Sequence, residues 1–416
     1  MKTPSLCLVV VLCSLIGQTA LAQKPKINCK LDYWNVQRKG ANGDGGANKN
    51  SGTTPEAWFA AAEKAGLDFV RLIPHLWPGE GRDFLLGNAD NFTAIPEKDL
   101  TLLLSVLDTA YQYHINIELS MFSLPGARNR QDNNNAFDYR LWNSEKYQQQ
   151  AQVFWRSLAD ALKDHPAVVA YNPLNEPHPG RQHGVYEAGS NAFSNWLGNV
   201  AGTSADLNRF NQNIVRSIRE RDSDTPIVLN GWMHASAEGL SHLQPVNDKA
   251  TIYAFHYYGD WQYATYRINQ NRFSYPDRMP LSGQQKDTSV KWTRSHVALD
   301  LQTVANWAQQ HEIPENRIMV EEFGADRRVG GVVDFLGDTL KAMNDKNWHW
   351  AFYSFRSSSW DGMDYELGTQ KLGWRYWQKR DQGLSHEQLI QRDNNPLWQV
   401  FKNELNNREK DTACRR

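Results

Sequence analysis

The chain has 416 residues, with 45 Lys and Arg against 46 Asp and Glu and a formal net charge of −1. So even a balance provides no long-range attraction for a polyanion, which argues against nucleic acid as a partner. The length would suit two or three average domains, but an α/β barrel also reaches this size as one unit.

Residues 1–22 read as a secretory signal. Lys2 supplies the positive start, residues 6–16 the apolar core, and Ala20-Leu21-Ala22 a small-residue cleavage site. That core is short for a membrane span, and no later stretch is long enough. The expectation is a secreted or periplasmic monomer with a single domain over 23–416 and no membrane span after signal removal. Cys7 and Cys13 would leave with the signal, and Cys29 and Cys414 would remain near the two ends. A closed barrel brings its first and last strands together. A terminal disulfide and two unpaired thiols are therefore both compatible with the sequence.

Strand and helix patterns alternate along the rest. A weak strand over 36–42 runs into glycine-rich polar sequence. Thr54-Pro55-Glu56 then starts a helix, with a cap, a first-turn proline and an acid near the positive dipole end, and Gly66 closes it. Strands are expected at 67–74, 115–121, 167–172, 226–229, 250–255, 317–320 and 348–355. Helices are expected at 97–113, 145–162, 205–221, 297–311 and 332–343. Only the fifth connecting helix is ill defined. Eight strands alternating with helices imply a parallel sheet closed into a (β/α)₈ TIM barrel. No glycine-rich phosphate fingerprint follows the first strand, which disfavours an open dinucleotide-binding sheet.

A barrel converges the C-terminal ends of its strands on one mouth. The polar residues expected there are Arg71, Asn175-Glu176, His256, Tyr258 and Glu321-Glu322. A lone glutamate on a loop is most often a solvated surface group. Two glutamates at matching strand ends suit cleavage of a glycosidic bond, which needs one carboxyl as acid and another as nucleophile or base. An arginine beside the second carboxylate favours its ionised form, and a tyrosine hydroxyl can orient it. No clustered His or Cys spacing suggests a metal, no cofactor motif is seen, and no Gly-x-Ser-x-Gly elbow suggests a serine hydrolase.

Asn175-Glu176-Pro177, His256-x-Tyr258 and Glu322-Phe323-Gly324, in that order on successive strands, resemble glycoside hydrolase family 5, the cellulase family of retaining (β/α)₈ enzymes. The resemblance implies a carbohydrate substrate, with Glu176 as acid/base and Glu322 as nucleophile. It also implies that Asn175 contacts a sugar 2-hydroxyl or the nucleophile. Arg71 and Tyr258 would position Glu322, and His256 would lie near the acid/base. Glu321 would face the surrounding helices or pair with a base. Two positions depart from the family pattern: Phe122 stands where a histidine is frequent, and Tyr353 stands where many members have a tryptophan. Trp77, Trp232 and Trp360 follow strands and are weighed as sugar platforms against packing under loops, whereas Trp348 and Trp350 read as core. A transglycosylase and a non-catalytic carbohydrate-binding barrel are the alternatives.

Overall fold

In a computed structural model, residues 28–48, 50–280, 289–357, 361–392 and 394–406 are described. The expected signal segment, Trp360 and Cys414 lie outside these residues, and with Cys414 so does the choice between a terminal disulfide and two unpaired thiols. Eight parallel strands close into a barrel in sequential order. They are β1 (Lys39–Gly43), β2 (Phe69–Leu72), β3 (Asn116–Ser120), β4 (Val168–Asn172), β5 (Ile227–Asn230), β6 (Thr251–Tyr257), β7 (Ile318–Phe323) and β8 (His349–Phe352). The outer helices are α1 (Pro55–Ala65), α2 (Glu97–Gln112), α3 (Glu145–Leu162), α4 (Leu207–Arg219), α5 (Arg294–Gln310) and α6 (Val332–Asn344). Helices α7 (Trp374–Asp381) and α8 (Pro396–Leu405) follow the last strand, with a single helical turn, His386–Leu389, between them. The expected (β/α)₈ barrel is therefore the observed fold. The ill-defined fifth connection consists of a left-handed turn over Met233, His234 and Ala235 and one helical turn, Ala237–Leu240.

Local chemistry accounts for the element ends. Thr54 accepts a hydrogen bond from the Ala57 amide, and Gly66 ends α1 at φ 88°, a left-handed conformation that suits glycine. Asp206 caps α4, whose Phe210, Ile214 and Ile218 recur on one helical face and are buried. None of the described helices is long and apolar enough to cross a membrane.

The barrel interior has two levels. Its floor is apolar, formed by Trp34, Phe69, Ala170, Val228, Ile252, Ala254, Met319 and Ala351. Trp34 has no exposed surface, donates from Nε1 to the Val169 carbonyl at 3.0 Å and meets Phe69 edge-on. Because side chains alternate along a strand, the next inward positions toward the mouth are Arg71, Asn172, Asn230, His256 and Glu321. An apolar plug thus supports a polar layer, and that layer carries the site. Trp348 and Trp350 are buried, as expected.

Replacing Trp34 by Ala is expected to lower unfolding free energy by about 3–5 kcal/mol, the usual loss for a large aromatic in a packed core. Chemical denaturation checks this.

Candidate active site

Arg71 projects from β2 into the barrel and is fully buried. Its Nη1 donates to Glu322 Oε1 at 2.5 Å and Asn42 Oδ1 at 2.9 Å. Its Nη2 donates to Asn175 Oδ1 at 2.7 Å and Asn172 Oδ1 at 3.2 Å. Nε lies 2.9 Å from Glu321 Oε1, an ionic contact off the line of a hydrogen bond. Burial opposes the guanidinium charge, but the charges of Glu321 and Glu322 outweigh it and hold the group cationic.

Glu321 and Glu322 both turn inward, although neighbours on a regular strand face opposite ways. The strand register resolves this. On β6, Phe255 pairs with Val320 and His256 with Glu322, so β7 carries one extra residue at this point. Such a bulge turns a second side chain toward the same space. Glu321 keeps the regular inward phase beneath the mouth, and Glu322 sits above it. Of the two expectations for Glu321, pairing with a base is the one observed. The following Phe323-Gly324 is closely packed: a Cβ on Gly324 would lie 2.3 Å from the Tyr365 hydroxyl.

Glu322 is 4% exposed, and its Oε2 accepts from the Tyr258 hydroxyl at 2.6 Å. Burial and then the charge of Glu322 push the Tyr258 phenol well above its ordinary range, so it stays a donor. His256 stands between the carboxylates. Nδ1 is 2.8 Å from Glu176 Oε1 and 3.6 Å from Glu322 Oε2, and Nε2 is 3.5 Å from Glu321 Oε2. Burial alone would depress the imidazole pKa. The charge of Glu322 and the contacts with Glu176 and Glu321 overcome this and raise it to about 9.

Glu176 follows β4 at φ 49°, a backbone state costly for a residue with a Cβ. Its amide donates to Asn230 Oδ1 at 3.1 Å. Asn230 Nδ2 in turn donates to Glu321 Oε2, so one amide links the backbone of Glu176 to the buried carboxylate. The Glu176 carboxyl is about one-third exposed. Donor atoms of Glu176, His256 and Glu322 lie within 4.8 Å of one another. Among the described residues these three are the one group with the donor set for a cation, but Arg71, Tyr258 and the imidazole itself already engage both carboxylates.

The structure therefore brings together Arg71, Asn175, Glu176, His256, Tyr258 and Glu322. Trp232 is not with them. It is 1% exposed and packs edge-on against Phe193 and Trp196, so it belongs to the loop core and is not a sugar platform. Trp77 is also buried, donating from Nε1 to the Asp44 carbonyl. Phe122 stacks on His75, and Arg71 lies 5.5 Å from its ring centre. Tyr353 lines a cleft of about 750 Å³ together with Asn42, which shares Arg71 Nη1 with Glu322; neither Glu322 nor Glu176 lines it. Arg356 pairs with Glu366 and Asp364 with Arg392, and Asp361 both pairs with Arg327 and lines the cleft.

Sequence reasoning missed Asn42, Glu118, Asn172 and Asn230. Glu118 is fully buried on β3, and among the described residues neither of its oxygens has a hydrogen-bond partner of ordinary donor type. Burial and the adjacent Glu321 raise its pKa well above the carboxylate range, while Arg71 keeps Glu321 well below it despite burial. A proton on Glu118 shared with Glu321 satisfies both. The sequence did carry a signal: residues 115–121 alternate strictly between apolar and polar, and in a strand covered on both sides the polar face must meet polar partners.

A parallel eight-stranded barrel with two carboxylates, an arginine, a histidine and a tyrosine at its mouth has the make-up of a glycoside hydrolase. Residues 32–359 match the model of the cellulase family, glycosyl hydrolase family 5, and the chain belongs to that family. Endoglucanase C of Acetivibrio thermocellus is 25% identical over 195 residues, 47% of this chain and 47% of that protein. Endoglucanase C307 of a Clostridium species matches equally, so the matches span about half the length of these curated relatives. Thermotoga maritima Cel5A in complex with mannotriose shares the fold at TM-score 0.56 and 16% identity, covering 80% of this chain and 94% of that one. Pseudomonas stutzeri endoglucanase Cel5A does so at TM-score 0.55 and 18% identity, covering 88% and 93%.

A pH effect follows from His256. Its folded pKa is raised above the unfolded value of 6.5, so its contribution is complete below about pH 6.5 and is lost as pH rises through about 9. The stability difference between the native protein and a His256→Gln variant is expected to shrink over that interval, as thermal unfolding at a series of pH values will show.

Proposed function

We propose that the chain is a retaining glycosidase that cleaves β-linked glycans by double displacement. The observation that carries this reading is the spacing of the two carboxylates. Oxygens of Glu176 and Glu322 lie within 4.8 Å of each other, with His256 alongside. Retaining enzymes hold their carboxyls about 5–5.5 Å apart, whereas inverting ones leave about 6.5–9.5 Å for a water.

In the first step Glu322 attacks the anomeric carbon, while Glu176 donates its proton to the departing glycosidic oxygen. Arg71 and Tyr258 each hold one oxygen of Glu322, which orients the carboxylate for attack. In the second step Glu176 takes a proton from water, which attacks the same carbon and releases Glu322 with retained configuration. Asn175 gives its carbonyl to Arg71, so its amide is left to donate to a sugar hydroxyl. His256 keeps Glu176 in place and carries a charge that offsets the buried acids.

Family membership and the names of the relatives support a β-glucan or a related β-linked glycan as substrate. Residues 1–22 support export, after which the domain over 23–416 would act as a secreted or periplasmic monomer.

Glu322→Gln is expected to lower kcat by orders of magnitude while leaving the unfolding midpoint within a few degrees of native. Turnover near the native level would refute the nucleophile assignment. Proton NMR of the first product should show the β-anomer; an α-anomer would mean inversion. Mass spectrometry of exported protein should find a new N-terminus close to residue 23.

A further inference from the structure

The cleft beside Glu322 is not made by the barrel alone. Besides the ends of β1 and β2 and the loop after β6, its walls include Asp361 and Trp377. These two lie beyond the family match at residues 32–359. The segment that carries them is firmly anchored. Arg327, itself fully buried, donates from Nε to the Asp361 carbonyl at 2.9 Å and from Nη1 to the carbonyls of Gly368, at 2.8 Å, and Gln370. Further along, Arg392 pairs with Asp364 at 2.9 Å, and the Tyr376 hydroxyl meets His386 Nδ1 at 2.7 Å. Yet α7, the helix this scaffold presents, buries none of its side chains. Trp377 on α7 is 49% exposed, and Trp261, which lines the same cleft, is 60% exposed. A rigid support that holds large indole rings in water is a preorganised binding surface.

We propose that Trp261 and Trp377 form a distal sugar-binding site for the glycone side of a neutral β-linked chain whose scissile bond lies at Glu176 and Glu322. The inference rests on the glycosidase reading above and adds the preferred substrate, an extended chain. Pyranose rings combine an apolar C–H face that stacks on indole with a rim of hydroxyls that need polar partners. The cleft supplies both kinds of contact, and it carries charges of both signs, with Asp326 and Asp361 standing with Arg267 and Arg328. No lining residue comes from the loops after β4 or β5, where Glu176 and His234 stand. The acid/base attends the leaving group and the nucleophile attends the glycone. The cleft reaches the site at Asn42, which shares Arg71 Nη1 with Glu322, and therefore receives glycone units.

The test uses the full chain and β-linked oligosaccharides of increasing length on one nitrophenyl leaving group. For the native protein kcat/KM should rise with glycone length. Trp377→Ala and Trp261→Ala should each lower it by about tenfold on the longest substrate and leave the single-sugar glycoside unchanged, with Trp377→Phe in between. Equal loss at every length, or no loss at any, would overturn the inference while leaving the glycosidase reading in place. A native protein that cleaves none of these glycosides, nor any β-linked polysaccharide, would remove that reading and this inference with it.

Discussion

Arg71 sits at no exposed surface, and an arginine there is tolerated only when acceptors surround it. Leaving a buried charge without its partner typically costs about 3–5 kcal/mol. The acceptors come from far apart in the chain: Asn42 at the end of β1, Asn172 and Asn175 at and after β4, and Glu321 and Glu322 on β7. The guanidinium thus ties four strands of the mouth together. Its fixed fork also sets the direction in which Glu322 points, because one Nη1 proton goes to Asn42 and the other to the carboxylate.

The electrostatics of the mouth follow from that placement. Four carboxyl groups, Glu118, Glu176, Glu321 and Glu322, share the space with two cationic side chains, Arg71 and His256. Four negative charges, three of them buried, would not be balanced by two positive ones. Glu118 reduces the excess, its proton being favoured by burial and by Glu321, and the charges of Glu322 and Glu321 keep both His256 and Arg71 cationic. Glu321 thereby acts on the proposed chemistry through its neighbours. Asn230 extends the same link to the strained backbone of Glu176. The two halves of the carboxylate pair are therefore held by one connected network, although 146 positions separate residue 176 from residue 322.

The floor and the rim complete the arrangement in different ways. Below, Trp34 and its apolar neighbours exclude water from the barrel, which strengthens each ionic contact above them. Above, the segment after β8 is held by Arg327 and Arg392 and shapes one wall of the cleft. The barrel places the paired carboxylates, and this added segment lines one side of the cleft.

Much of this was legible in the residues. Alternating strands and helices specify a barrel because parallel strands need crossover helices and eight repeats close on themselves. Asn175-Glu176, His256-x-Tyr258, Arg71 and Glu322 were identifiable because each stands where a strand pattern ends, and a barrel gathers such ends whatever their separation. Local sequence could not decide which side chains meet beyond that rule. Glu321 and Glu322 share the interior only because β7 bulges against β6, a register feature that depends on both strands. Trp232 resembled a rim platform from its place after β5, but Phe193 and Trp196, brought by another loop, bury it. Glu118 became a proton holder only because tertiary packing set it against Glu321 and away from water. The sequence by itself determined the barrel and the two carboxylates at its strand ends, since periodicity and strand ends are local. Orientation, protonation and the outer wall of the cleft depend on contacts between distant segments, and those only the tertiary structure decided.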